Sequence, residues 1–140
     1  MEKTTVILVF LTIVFWGIAP ILDKAALKNA GPMIGLIIRG LAIGLVMLAA
    51  LLTGKNLKTL ADLPTQSILL FAASGILAGI FGTFTFYKAL QMDYTSRIVP
   101  LVATYPLITA LLSVLFLGEA LSMARVMGIV LIIAGIILVK

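Results

Sequence analysis

The chain contains no cysteine and no histidine among its 140 residues. Disulfide bonds, thiol catalysis and the usual zinc ligands are therefore excluded. Charged residues are also scarce, at 11%, whereas hydrophobic residues make up 63%. A typical soluble domain is about 25% charged and about 45–50% apolar, and a short chain has too much surface to hide such an excess in a core. We therefore predict an all-α integral membrane protein, a bundle of five transmembrane helices.

Five apolar segments have the length, about 20 residues, that a helix needs to cross the hydrocarbon core. The predicted helices cover residues 4–22, 32–53, 66–90, 97–117 and 122–139 of a single domain, 1–140. The first apolar run is longer than the core of a signal peptide, which usually has about 7–15 residues. We therefore expect this segment to be retained as a membrane helix. The connecting segments are short, so neighbouring helices are expected to run antiparallel.

Local residues predict where several of these helices begin and end. Pro32 suits the first turn of the second helix, and Gly54-Lys55-Asn56 reads as its stop signal. Gly118 is a natural left-handed residue after the fourth helix. Ser122 is a suitable N-cap for the fifth helix.

Arg39 is the only charged residue well inside a predicted segment, seven residues past Pro32 and so about 10 Å along its helix. An arginine at the centre of a membrane helix costs about 2.5–3.5 kcal/mol on insertion scales. Its side chain either snorkels to the nearer interface or supplies a fixed cation for a carboxylate or phosphate of a substrate. No Asp or Glu lies in the middle of a predicted helix, so the simplest intramembrane proton relay is missing.

Polar and aromatic side chains recur at helical spacing on the first, third and fourth predicted helices. Such stripes either bond one helix to another or line an aqueous cavity. The candidate substrate-binding residues are Arg39, Trp16, Thr12, Thr83, Tyr87, Tyr105 and Thr109. Asp23 continues the stripe of Thr12 and Trp16 to the end of the first helix. No set of residues suggests catalysis, and neither a metal nor a cofactor is expected.

Small residues and prolines predict where the helices touch and bend. In lipid, close packing at small residues holds helices together, and the candidate packing residues are Gly75, Gly79, Gly82, Gly128 and Gly135. Pro100 and Pro106 each remove a backbone donor and clash with the preceding turn. Carbonyls freed at membrane depth must face protein or a wet cavity. The two prolines therefore predict a break in the fourth helix, either a simple structural kink or part of a substrate path.

The order of several motifs resembles a known repeat unit. The segments are RIVPL at 97–101, YPLITAL at 105–111, LGE at 117–119 and GIVLIIAG at 128–135, preceded by FWG at 15–17. Together with Arg39 they resemble the EamA domain of the drug/metabolite transporter superfamily. The resemblance implies export or exchange of small metabolites such as amino acids. Typical members carry two such units, related as inverted repeats around a midplane cavity, whereas this chain has one.

A single unit offers half of such a cavity, so we expect a transporter that works as a homodimer. We expect it in the plasma (cytoplasmic) membrane, with the lipid bilayer and a small-molecule substrate as partners and no nucleic acid. Positive residues near the ends of membrane helices set orientation. Four lie on the N-terminal side and five on the other: Lys3, Lys55, Lys58 and Arg125 against Lys24, Lys28, Lys88, Arg97 and Lys140. This balance predicts insertion in both orientations and an antiparallel dimer. The rival is a parallel dimer with cytoplasmic N-termini.

Three other functions are compatible with the composition. The first is a proton-coupled exporter of lipophilic cations like the small multidrug resistance proteins, but those carry a glutamate in the first helix and this chain does not. The second is an accessory half-subunit that completes a heteromeric carrier. The third is a structural membrane protein without transport activity.

Overall fold

A computed structural model describes residues 3–52, 59–60, 62–120 and 122–139. Those residues form five helices: α1 (Lys3–Ala26), α2 (Pro32–Leu52), α3 (Thr65–Met92), α4 (Thr95–Leu117, in two pieces) and α5 (Met123–Val139). Helices α1 to α4 are long and apolar enough to cross a membrane. The 17 residues of α5 stand at the lower limit of the spanning range, about 17–25. The predicted all-α integral membrane fold is confirmed.

The ends of the helices follow local sequence signals. Helix α2 begins at Pro32, and Gly118 adopts φ 65° after α4, where a side chain would be strained. The Ser122 hydroxyl accepts a hydrogen bond from the Arg125 N–H at 3.3 Å, which is the predicted N-cap of α5. The predicted stop at Gly54-Lys55-Asn56, and the charges of Lys55, Lys58 and Lys140, lie outside the described residues.

Helix α1 continues to Ala26, four residues past its predicted end at Leu22, and includes Pro20. A proline inside a helix removes one backbone donor, but the helix is maintained on both sides of it. Pro20 is buried, so protein rather than lipid surrounds the ring. The extension brings Asp23 into the last two turns of the helix.

The chain divides into two compact units between Gln91 and Met92. Among the described residues of the first unit few are buried, and these are Pro20, Leu27, Tyr87 and Leu90. Large apolar side chains elsewhere on the same helices are mostly exposed, for example Leu45 at 71% and Phe71 at 74%. In an integral membrane protein such side chains face lipid or another subunit, since lipid tails are as apolar as leucine.

Helix α3 changes its hydrogen-bonding period in the middle. Residues Gly75–Gly82 form a π-helix between α-helical pieces at Thr65–Ser74 and Thr83–Met92. The Thr83 hydroxyl donates to the carbonyl of Ala78 at 3.1 Å, and the Thr83 N–H bonds the same carbonyl. π-Helical turns are rare and occur frequently at functional sites.

In the second unit, α4 consists of Thr95–Val102 and Tyr105–Leu117, separated by a turn at Ala103 and Thr104. Pro100 lies near the end of the first piece and Pro106 in the first turn of the second. The Thr104 hydroxyl donates to the Leu101 carbonyl at 2.7 Å, which satisfies one acceptor at the break. The first piece packs against α5.

Candidate functional site

Asp23, Arg39 and Tyr87 form a closed triangle of hydrogen bonds that joins α1, α2 and α3. Arg39 Nη1 lies 3.1 Å from Asp23 Oδ2 and 3.2 Å from the Tyr87 hydroxyl oxygen. The Tyr87 hydroxyl donates to Asp23 Oδ1 at 2.8 Å. Charge-assisted hydrogen bonds of this kind are stronger than neutral ones. We call these three residues the polar triad.

The triad lies where α1 ends, α2 begins and α3 ends. Asp23 is three residues before the end of α1, Arg39 is seven residues after the start of α2, and Tyr87 is five residues before the end of α3. The arginine side chain is long enough to reach back toward its helix end, as snorkelling side chains do. In the structure this side chain meets the carboxylate of Asp23, near the end of the preceding helix.

Further hydrogen bonds fix the same three helix ends. Gln91 Nε2 donates to the carbonyls of Leu27 and Ala30, each at 3.1 Å. Lys24 Nζ donates to the carbonyl of Leu90. These contacts tie the segment between α1 and α2 to the end of α3, so the triad is held by backbone and side-chain bonds on either side.

Gly35 allows Tyr87 to approach α2. A Cβ placed at Gly35 would lie 3.2 Å from Tyr87 Cε2 and 3.4 Å from Cδ2, which is tighter than ordinary van der Waals contact. The tyrosine ring is only 2% exposed. The absence of a side chain at position 35 is therefore what lets the tyrosine hydroxyl reach Asp23 and Arg39.

Arg39 lines two open grooves. The first is lined by α1, α2 and Tyr87, has a volume of about 250 Å³, and includes Asp23, Arg39 and Gly35. The second lies between α2 and α3 and has a volume of about 550 Å³. We call the second the α2–α3 groove; its lining residues are Met33, Leu36, Ile37, Arg39, Gly40, Ile43, Gly75, Gly79, Ile80 and Thr83.

The structure brings together three of the candidate substrate-binding residues. Arg39 and Tyr87 share the triad, and Arg39 and Thr83 line the α2–α3 groove. Thr12 and Trp16 lie one turn apart on α1, where the Thr12 hydroxyl bonds its own helix at the Leu8 carbonyl and Trp16 is 65% exposed.

The remaining candidates belong to the second unit. Tyr105 is 51% exposed, and the Thr109 hydroxyl donates to the Tyr105 carbonyl at 3.3 Å. Both residues therefore lie on the second piece of α4, immediately after the break, with the threonine bonded within its own helix.

The candidate packing glycines have open space around them. Among the described residues of its own unit, no atom lies within 4 Å of a Cβ built at Gly75, Gly79, Gly128 or Gly135. A Cβ at Gly82 would meet the Leu77 carbonyl of the same helix at 3.3 Å. Gly75 and Gly79 instead contribute bare backbone to the α2–α3 groove.

Sequence reasoning did not include Asp23, Gly35 and Gln91 among the candidate site residues. A signal for Asp23 was present, because it is a carboxylate only 16 residues before the intramembrane arginine and on the preceding helix. Gly35 and Gln91 have no such signal, since their roles depend on how closely α2 and α3 approach each other.

Comparison with known proteins gives matches along most of the chain. A sequence model of the EamA-like transporter family matches residues 3–140. An uncharacterised protein of Methanocaldococcus jannaschii is 35% identical over 137 residues, which cover 98% of this chain and 96% of that protein. An uncharacterised transporter from the cobO 3′ region of a Sinorhizobium species is 25% identical over 128 residues, 91% of this chain and 90% of that protein. No solved structure matches.

Proposed function

Because this chain belongs to the EamA-like transporter family, we propose that it exports or exchanges small polar or amphipathic metabolites, such as amino acids, as an antiparallel homodimer of five-helix subunits in the plasma membrane. The observation that carries the proposal is the family match along residues 3–140. Both relatives are covered over nine tenths or more of their own length. Each relative is therefore little longer than the segment it shares with this sequence.

The homodimer follows from what one unit lacks. Many transporters place their substrate site near the midplane between inverted repeats, and one unit provides one side of such a site. Two copies in opposite orientations reproduce that architecture with a two-fold axis in the membrane plane and an isologous interface. The near-equal number of positive residues on the two sides, four against five, removes the usual bias toward one orientation.

The transport proposal is tested with the purified chain alone in liposomes. Saturable counterflow of a labelled amino acid is expected, because two copies complete the cavity. Liposomes that contain the Arg39→Gln variant provide the matched control. With the same quantity of folded dimer, this variant is expected to give a lower flux, and Arg39→Lys is expected to recover part of the lost flux. Absence of flux for every amino acid and related metabolite tested would favour the heteromeric or the structural alternative.

Topology is tested separately by labelling single cysteines from outside intact cells. The natural chain has no cysteine, so Asn29→Cys and Asn56→Cys each introduce a unique thiol, and the two positions belong to opposite sides of the predicted topology. An impermeant maleimide should label a fraction of each variant if the chain inserts both ways. Complete labelling at one position and none at the other would contradict the antiparallel dimer and leave the parallel one.

A further inference from the structure

We propose that the transported substrate is a small carboxylate with an apolar body, bound in the α2–α3 groove with its carboxylate on the outer edge of the Arg39 guanidinium. This inference rests on the transport function proposed above and assigns its substrate class. The carboxylate belongs to a small solute, and an anionic lipid headgroup is the rival source of the same charge.

The first observation concerns the unused donors of Arg39. A guanidinium has five N–H donors in a fixed fork, and in the polar triad both contacts are made by Nη1. Within the part of the chain that the structure describes, no hydrogen bond joins Nε or Nη2 to another residue. Nε and Nη2 form the pair of parallel donors that binds a carboxylate in a bidentate manner. The Arg39 side chain is 42% exposed and lines the α2–α3 groove.

The second observation is the chemistry of the α2–α3 groove. Its volume of about 550 Å³ falls within the range of small-molecule sites, about 300–1,000 Å³. Of the described residues that line it, Arg39 and Thr83 alone have polar side chains and none is acidic. The remaining walls are leucine, isoleucine, methionine and bare glycine backbone. A single positive group beside apolar walls complements an anion with an apolar body and disfavours a lipophilic cation.

The third observation is the position of Asp23. Its carboxylate contacts the opposite edge of the same guanidinium at 3.1 Å and is 16% exposed. Asp23 therefore neutralises Arg39 when the groove is empty and competes with an arriving carboxylate for its charge. Removing the charge of Asp23 is expected to tighten binding of an anion, whereas removing that of Arg39 is expected to weaken it. A purely structural triad predicts weaker binding in both cases.

The test measures binding rather than transport. The wild-type chain in phosphatidylcholine nanodiscs is titrated by calorimetry with 3-phenylpropanoate and with 3-phenylpropanamide, which has the same apolar body without the charge. The amide is expected to bind at least about tenfold more weakly, since a hydrogen bond to a charged group is worth about 1.5–3 kcal/mol, or roughly 10- to 150-fold in affinity. Arg39→Gln should lower the affinity for the carboxylate by a similar factor, Arg39→Lys should recover part of it, and Asp23→Asn should raise it.

A second pair of variants locates the ligand in the groove. Gly79→Leu adds a side chain where nothing lies within 4 Å, so it should fold and fill the groove, and it is expected to abolish binding. Gly17→Leu makes the same change on α1, also in open space and away from both grooves, and is expected to leave binding unchanged.

Several outcomes would overturn the assignment. Equal binding of the amide, weaker binding in Asp23→Asn, or unchanged binding in Gly79→Leu would each do so. Displacement of the probe by phosphatidylglycerol in the nanodisc, lost in Arg39→Gln, would identify a lipid phosphate as the anion instead. Because binding needs no flux, a chain that binds the probe but transports nothing disproves only the transport proposal, and saturable flux without probe binding disproves only the substrate class.

Discussion

Substitution of Gly35 by alanine tests whether the close approach of Tyr87 to α2 maintains the polar triad. The added Cβ would lie 3.2 Å from Tyr87 Cε2 and 3.7 Å from Leu27 Cδ2. The ring cannot simply retreat, because its hydroxyl is bonded to Asp23 at 2.8 Å. Overpacking of this kind costs about 1–3 kcal/mol. Alanine also favours the helix over glycine by about 1 kcal/mol, so the net change is a destabilisation of about 0–2 kcal/mol.

A matched substitution on the same helix isolates the steric contribution. Gly44 lies in α2 with nothing within 4 Å of a Cβ built there. Gly44→Ala therefore receives the helix-forming benefit alone and should be neutral or slightly stabilised. The free energies of unfolding of the two variants should differ by about 1–3 kcal/mol, which is the overpacking cost by itself.

The assay is equilibrium unfolding by SDS in mixed micelles, followed by circular dichroism and by the fluorescence of Trp16, the single tryptophan. Equal unfolding free energies for Gly35→Ala and Gly44→Ala would refute the close approach. A double-mutant cycle adds a second check, since in a Tyr87→Phe background the ring loses its hydroxyl bonds and moves more freely. Gly35→Ala should then cost less, with a coupling energy of about 0.5–3 kcal/mol expected for residues in contact.

Three further predictions concern the helix ends and energy coupling. Gly118→Ala places a side chain at φ 65° and should destabilise the chain by about 1–2 kcal/mol in the same SDS assay, which is the cost of a left-handed non-glycine residue. Gly118→Asn should cost less. Equal stability of the wild type and both variants would contradict the left-handed backbone at Gly118. Ser122→Ala removes the acceptor for the Arg125 N–H and should cost about 0.5–1 kcal/mol, while Ser122→Asp should keep the cap. Flux into liposomes should persist when an uncoupler collapses the proton gradient, because no carboxylate lies mid-helix; full dependence on that gradient would identify Asp23 or Asp93 as a proton relay.

The sequence was sufficient for features that depend on local chemistry. Apolar length predicted the membrane helices, Pro32 predicted the start of α2, and Gly118 and Ser122 predicted the ends around the last connection. These residues act through their own backbone or their nearest turn, so no knowledge of the fold is needed to interpret them.

The sequence was insufficient where a role depends on how helices rotate and approach. Arg39 was recognised as the intramembrane charge, but its partners come from α1 and α3, 16 and 48 residues away. The π-helix at Gly75–Gly82 was also not predicted, because the glycines there indicated only helix packing. Residues five apart share a hydrogen bond there, which redirects the side chains that follow, including Thr83.

The ion pair between Asp23 and Arg39 bears on the biogenesis of the chain. As α2 leaves the ribosome, Arg39 alone would add about 2.5–3.5 kcal/mol to the free energy of partitioning into the bilayer. Its carboxylate partner has been synthesised 16 residues earlier, at the end of the helix that precedes it. Helices α1 and α2 can therefore enter the membrane together as a hairpin whose internal charges cancel, before Tyr87 is made. Separating them with a long insertion should lower the integration efficiency of α2, and Asp23→Asn should lower it without any change in α2 itself.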